Sequence, residues 1–259
     1  MVLMLSICDG TVRYKWKAPT LTTTALVTGA SGGIGAEVAR QLAATGVTVV
    51  VSARSVDRAK ATAESIDNSV QVLPVGLDVA DPDSVQSAAA ALAEEPGRLD
   101  ILINNAAAYV DWAELASTAD LDAARTVMEV NLFGGWRMTN ALLPLLRRSE
   151  HPRVVHVSSG AGSHDDEQFG LRKRHGAAAA YGISKAALNA LTSTQAAEFA
   201  DTPIIVNAVC PGLTATYPGA EAMGARPVID GAASVLWAAT LPDDGPRGGL
   251  FRDGQPIGW

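Results

Sequence analysis

The sequence predicts an α/β fold: a doubly wound, mainly parallel sheet of seven strands with helices on both faces, built as a single domain. Three observations predict it. Short runs rich in Val, Ile and Leu alternate with Ala-rich helical stretches along most of the chain, which is the pattern of βαβ units. The first such run passes through a glycine-rich turn directly into a helix, the context in which such a turn holds a phosphate. With 259 residues, 48% of them hydrophobic and 18% charged, the chain is globular and large enough for one substantial core.

Composition also excludes function classes. A net charge of −7 argues against nucleic acid or an anionic membrane as the main partner. No apolar run approaches the roughly 18 residues needed to span a bilayer. The two cysteines, Cys8 and Cys210, lack zinc spacing, so the expected profile is reduced and cytoplasmic, with no metal. The start, MVLMLSICDG, is apolar but short, without a basic region or a cleavage site. Residues 1–21 are therefore read as an N-terminal extension, disordered or a misassigned start, unless Tyr14 and Trp16 dock on the body. Residues 22–259 form the expected domain.

The elements follow in order. Thr24–Thr28 is a buried strand, and Gly29-Ala-Ser31-Gly32-Gly33-Ile34-Gly35 leads into the helix after it. Glycines let this backbone approach a pyrophosphate, whose charge the helix N-terminus favours. The second strand, Val47–Ser52, ends in Ala53-Arg54, with Arg58 one turn further on. An acid there would bind the ribose 2′-hydroxyl of NAD, whereas arginine suits the 2′-phosphate of NADP. Asp57 is expected to face outward, so NADP(H) is favoured over NAD(H). Strands at Val70–Val75, Leu99–Ile103, Arg153–Val157, Pro203–Asn207 and Gly249–Phe251 complete the seven. Asp81-Pro82 opens one helix, a capping Asp followed by Pro at the first position. Longer helices are expected over 121–146, where Pro144 would kink the last turn, over 181–200 and over 228–241.

Several side chains stand where chemistry is done. Tyr181 and Lys185 lie four apart, one turn apart on one helix face. A phenol titrates near pKa ~10, and a nearby ammonium would lower that value and make Tyr181 a usable acid or base. Alone, this spacing is common on amphipathic helices. Asn104-Asn105-Ala106-Ala107 ends the fourth strand, on the edge where open α/β sheets bind ligands. Asn131 sits inside an apolar helix, and Ser158-Ser159 ends the fifth strand. Residues 161–176 form a polar insertion with His164, Asp165, Asp166, Glu167 and His175; its ligand spacing fits no metal motif, and a solvated insertion is favoured.

Taken together, these motifs resemble the short-chain dehydrogenase/reductase family over residues 24–254. Thr28-Gly29-x-x-x-Gly33-x-Gly35 is similar to its cofactor loop, Asn104–Ala107 to its NNAG, and Tyr181-x-x-x-Lys185 to its catalytic pair. Pro211-Gly212-x-x-x-Thr216 resembles the nicotinamide-side segment, and Asp78-Val79 the pair that contacts adenine. Gly29, Gly32 and Gly35 also fit the loop of longer epimerase-type relatives, but too few residues follow Lys185 for their extra domain. The resemblance implies a Rossmann fold and a hydride transfer. In it Tyr181 exchanges a proton with the substrate oxygen, Lys185 lowers the Tyr181 pKa and holds the ribose, Ser159 binds the same oxygen, and Asn131 anchors a relay water. Ser159 is preferred to Ser158 by alignment.

Two departures stand out: NNAG has become NNAA, and 21 residues separate Ser159 from Tyr181, more than in many members. Extra residues here, the tail GGLFRDGQPIGW and the arginine after the second strand resemble the carbonyl-reductase-like, NADPH-using branch. That points to reduction of an aldehyde or ketone. The alternatives are an NAD-dependent alcohol dehydrogenase on the same scaffold, and a non-catalytic dinucleotide sensor, disfavoured because Asn131, Ser159, Tyr181 and Lys185 are all present. Tyr109, Trp112, Phe169, Leu213 and Tyr217 are candidate pocket residues for an apolar or aromatic carbonyl substrate. A homodimer or tetramer is expected from the resemblance, or a monomer if the insertion blocks the helix interface.

Overall fold

The computed structural model describes residues 3–8, 11–16, 23–66 and 72–259. Strands β1 (Leu3–Cys8) and β2 (Thr11–Trp16) pair with each other as an antiparallel two-stranded sheet. The rest of the expected extension, and whether Tyr14 or Trp16 docks, lies outside the described residues.

From β3 (Thr24–Val27) onward, strand and helix alternate: α1 (Gly33–Ala44), β4 (Thr48–Ala53), α2 (Val56–Ser65), β5 (Val72–Gly76), α3 (Pro82–Glu94) and β6 (Ile101–Asn104). Then come α4 (Leu121–Met128), a π-helical turn over Glu129–Gly134, α5 (Gly135–Leu146), β7 (Arg153–Val157), α6 (Ala179–Glu198), β8 (Ile205–Val209) and α7 (Val228–Ala239). A hairpin of β9 (Leu250–Arg252) and β10 (Gln255–Ile257) ends the chain. The strand order β10-β9-β8-β7-β6-β3-β4-β5 is parallel throughout except for β10. The order reverses between β3 and β6, which opens a crevice at their carboxyl ends, where such sheets bind ligands.

Both faces of the sheet are buried, which is why its strands read as continuous apolar runs rather than alternating ones. Val49 and Val51 pack with Val38, Leu42 and Val235 on the α1/α7 side, whereas Val50 between them packs with Leu92, Met138 and Leu142 on the other. The helix starts follow local chemistry. The Asp81 carboxylate accepts from Asp83 N at 3.0 Å ahead of Pro82, and Asp120 likewise caps α4.

The structure corrects two expectations. The sheet has eight strands rather than seven. The missed strand is three residues long and contains Pro256, which suits only an edge. Its turn was visible: Asp253 and Gly254 both have positive φ, 52° and 74°, the mirror-image turn that Asp-Gly favours. The helix over 121–146 is also not continuous α-helix, because a π turn interrupts it at Asn131. Pro144 lies within α5 without ending it.

Candidate active site

The glycine loop is built by its neighbours. Thr28 Oγ1 accepts from the backbone N–H of Asn105 (2.9 Å) and Ala106 (3.0 Å), while Asn105 Nδ2 donates to the carbonyls of Thr28 (2.8 Å) and Gly29 (3.2 Å). The ends of β3 and β6 are thereby locked together. A side chain at Gly29 (φ 64°) would sit 2.8 Å from Ala106 Cα, and one at Gly35 would meet Gly29 O at 2.8 Å and the Asn105 amide. Gly32 instead faces open space, and the α1 N-terminus carries neither a side-chain cap nor an acid in its first turn. Free N–H groups around a cradle that only glycine leaves open suit a pyrophosphate. Ala107, where the NNAG pattern has glycine, has no positive φ, so NNAA imposes no strain.

The other cofactor candidates surround this cradle. Ser31 is exposed beside Gly32, and Ile34 is half-buried on the first turn of α1. Arg54 and Arg58 are exposed at the end of β4 and on α2, and neither has an ion-pair partner among the described residues. Asp78 accepts from Ala80 N and donates through its own N–H to Ser84 Oγ, both at 3.0 Å, and buried Val79 packs under Gly134. From the far side, Thr216 reaches over the loop, its Cγ2 3.3 Å from where a Gly33 side chain would begin. Buried Pro211 and half-buried Gly212 (φ 73°) start that segment.

At the carboxyl edge the acid–base candidates converge. Tyr181 and Lys185 are both buried. The Lys185 ammonium donates to Val157 O at 2.8 Å and lies 5.6 Å from the centre of the Tyr181 ring. Ser159 lies close enough to the Tyr181 phenol to lower its pKa, and its Oγ accepts from Ala161 N at 3.1 Å. Ser158 turns the other way, donating to Asn189 Oδ1 at 2.6 Å in the packing of α6. The two serines therefore part company: one faces the tyrosine, the other the core.

The electrostatics differ from the sequence expectation. Burial holds the Tyr181 phenol above its ordinary value near 10 and outweighs the lowering by Ser159; Tyr109 and Cys210 push it the same way as burial. Burial pushes Lys185 itself down to about 8, against a smaller raising influence of Cys210. Dehydration thus works against the charged form of both groups.

Asn131 is held through its side-chain amide. Its Oδ1 accepts from Ala108 N (2.8 Å), and its Nδ2 donates to Ala108 O and to Ser184 Oγ, both at 3.0 Å. Ser184 Oγ in turn donates to Tyr181 O at 2.7 Å. Both N–H groups are spent on protein, so the amide clamps the loop after β6 to α6, and the interrupted helix places it there. A cavity of about 10 Å³, room for about one water, lies between Thr28, Asn104, Asn131, Val157 and Lys185.

Residues missed by the sequence reading lie in this buried framework. His156, fully buried, meets Gln195 Oε1 through Nε2 (2.9 Å) and Asn104 Nδ2 through Nδ1 (3.3 Å). Cys210 Sγ accepts from Gly160 N (3.1 Å), Arg252 Nη2 (3.1 Å) and Gly212 N (3.4 Å). His156 lies inside β7 and Cys210 just after β8, where a single polar side chain gives no periodic signal, so no sequence pattern marked either. Of the pocket candidates, Tyr109 stacks on Tyr181 (centroids 5.3 Å, 21°) and Trp112 meets it edge-on at 5.3 Å. Phe169 joins through Arg174; Tyr217 makes no ring contact with this group among the described residues, and Leu213 is half-buried outside it. Among the described residues no group of three His, Cys, Asp or Glu side chains could hold a metal, and no helix is long and apolar enough to cross a membrane.

Known proteins share this arrangement. The family model described as short chain dehydrogenase matches residues 23–223. The (+)-neomenthol dehydrogenase of Arabidopsis thaliana is 30% identical, over 88% of this chain and 94% of that protein. Short-chain dehydrogenase/reductase 1 of Saponaria officinalis is 34% identical, over 86% and 92%. Among solved structures, NADPH-bound carbonyl reductase from chicken fatty liver superposes with a TM-score of 0.79, covering 92% of this chain and 99% of that one; at 24% identity this shows the fold alone. Salutaridine reductase from Papaver somniferum gives 0.73 at 28% identity, over 89% and 99%. A glycine cradle at the sheet's switch point, with Tyr181 and Lys185 on α6 beside it, thus belongs to an NAD(P)-dependent oxidoreductase, and the chain is a member of the short-chain dehydrogenase/reductase family.

Proposed function

We propose that this enzyme reduces an aldehyde or ketone to the alcohol, using NADPH, with Tyr181 as the proton donor. The observation that carries the reading is the placing of Ser159 beside the Tyr181 phenol, whose pKa it lowers, with Lys185 buried on the same face of α6 and donating to Val157 O. Two hydroxyl donors fixed before reaction suit a carbonyl oxygen on which negative charge develops. A phenol held protonated by burial suits the reductive direction, in which it must give a proton. Gly29, Ser31, Gly32, Gly33, Ile34 and Gly35 would hold the pyrophosphate, and Asp78 and Val79 the adenine. Asn105, Ala106, Pro211, Gly212 and Thr216 would line the rest of the dinucleotide, with Tyr181 and Lys185 at the ribose. Bound there, the nicotinamide supplies the hydride.

Once Tyr181 has given its proton, Lys185 stabilises the phenolate and passes on a replacement. Asn104 Oδ1 is buried without a protein donor and borders the small cavity beside Lys185. A water between the two satisfies that oxygen and extends the path. In this reading Asn131 positions Tyr181 through Ser184 and does not anchor the water with its amide.

The preference for NADPH rests on Arg54 after β4 and Arg58 on α2, without ion-pair partners among the described residues, where a carboxylate would repel a 2′-phosphate. A cofactor-oxidation screen over a panel of aldehydes and ketones, run with NADPH and NADH in parallel, tests the reading. NADPH should be oxidised in preference, and Arg54→Asp should shift preference towards NADH by tenfold or more. An unchanged cofactor ratio in that variant removes the 2′-phosphate assignment.

A further inference from the structure

The aromatic wall beside Tyr181 ends on a charge that no acid balances among the described residues. Arg174 lies in the insertion, its guanidinium carbon 5.9 Å from the ring centre of Trp112 and 5.9 Å from that of Phe169. Trp112 in turn meets Tyr181 edge-on at 5.3 Å. The cation therefore sits one indole beyond the proposed proton donor. Of five guanidinium N–H donors, one is used within the protein, from Nη2 to Ala177 O at 3.1 Å, and Nε is buried with no partner.

The nearby acids are already engaged. Asp166 pairs with Arg252 at 2.5 Å, Glu167 pairs with Lys173 at 3.0 Å, and Glu114 accepts from Ala180 N at 2.9 Å. Among the described residues no carboxylate lies within ion-pair distance of Arg174. The backbone that delivers it is costly. Arg174, His175 and Ala178 have φ of 51°, 56° and 55°, a region that side-chain-bearing residues rarely adopt and that tends to be kept where a site requires it. A planar guanidinium with free donors, set among aromatic rings, matches a carboxylate in charge and geometry.

We infer that Arg174 is a specificity determinant for carbonyl substrates that carry a carboxylate about one aromatic ring away from the reacting carbonyl. The inference rests on the carbonyl-reductase reading for the position of the reacting carbon, but the anion site itself can be read without turnover. The ring of such a substrate packs along Tyr109 and Trp112, its carbonyl oxygen meets Ser159 and Tyr181, and its carboxylate takes the free guanidinium donors.

The test uses 4-hydroxymethylbenzoate and its methyl ester, titrated into the full-length enzyme with NADPH present, a pair that cannot react, and followed by calorimetry. The carboxylate should bind at least tenfold tighter than the ester. Arg174→Gln should abolish that difference while leaving the ester's affinity unchanged, and Arg172→Gln, an exposed neighbour, should leave the difference intact. Equal binding of acid and ester by the unmodified enzyme, binding of neither, or a preference that survives Arg174→Gln overturns the inference. Turnover of 4-formylbenzoate and its methyl ester is measured separately: in the unmodified enzyme the acid should have the lower KM at similar kcat. If neither aldehyde is reduced although the acid binds selectively, the carbonyl-reductase reading fails and the anion site stands.

Discussion

At the scale of single residues, the two serines that end β7 show how one register position decides a role. Ser159 faces Tyr181, and Ser158 is spent on Asn189. Ser159→Ala should therefore lower kcat by about 100-fold, at the lower end of what a fixed transition-state donor supplies, with little change in thermal stability. Ser158→Ala should do the reverse, lowering the melting temperature with a modest effect on kcat; steady-state kinetics and thermal melts on the two variants separate them. His156 makes a different prediction. Burial holds its pKa at about 4, below the usual 6.5, with Gln195 opposing and Lys185 reinforcing. The folded state thus binds fewer protons than the unfolded chain between those values. Its contribution is complete above pH 6.5 and lost as pH falls towards 4, up to roughly 3 kcal/mol. Denaturant melts at pH 7 and pH 5 should show this loss, and His156→Asn should flatten it; an unchanged pH slope in that variant assigns the loss to other groups.

At the scale of elements, much was legible and the rest had physical reasons to be hidden. Tyr181 and Lys185 were visible as a helical pair, and the strand–glycine–helix start was visible because only glycine fits beside Ala106 and Asn105. The π turn was not, since it answers to a tertiary demand: Asn131 must reach Ala108 and Ser184 together. The Tyr181 pKa is raised on balance because burial, which spacing does not report, outweighs what lowers it. The insertion, read as solvated, is anchored. Asp166, 5% exposed, pairs with Arg252 and accepts from Phe169 N (2.7 Å) and Gln168 N (3.0 Å), and Ser163 donates to Gly258 O in the tail. Removing one partner of a buried pair is costly because the other charge is left uncompensated. Asp166→Asn should lower stability by about 3 kcal/mol, near the low end for such pairs because Arg252 keeps some contact with water. A melting temperature within about one degree of the parent would show the pair to be dispensable.

At the scale of the whole molecule, the sheet order explains why distant segments meet. Reversal between β3 and β6 opens the crevice, and the carboxyl ends of β3, β6, β7 and β8 bring Gly29, Asn105, Ser159 and Gly212 to one edge. The tail hairpin then ties the insertion to that edge through Arg252, whose guanidinium touches both Asp166 and Cys210. The carboxyl edge and the insertion are thereby joined in one framework. At the opposite, amino-terminal edge, a depression of about 370 Å³ among Thr23, Arg98, Asp100, His151 and Arg153 lies away from the ligand-binding side of such a sheet.

The central claim is that Tyr181 gives the proton in a carbonyl reduction. Tyr181→Phe removes one oxygen and keeps the ring that packs on Tyr109 and Trp112, so the measurement is kcat for NADPH-dependent carbonyl reduction by this variant, alongside its affinity for NADPH. The account predicts a fall in kcat of at least about 100-fold, the span of a general acid, with NADPH binding retained; a kcat within about twofold of the parent would contradict it.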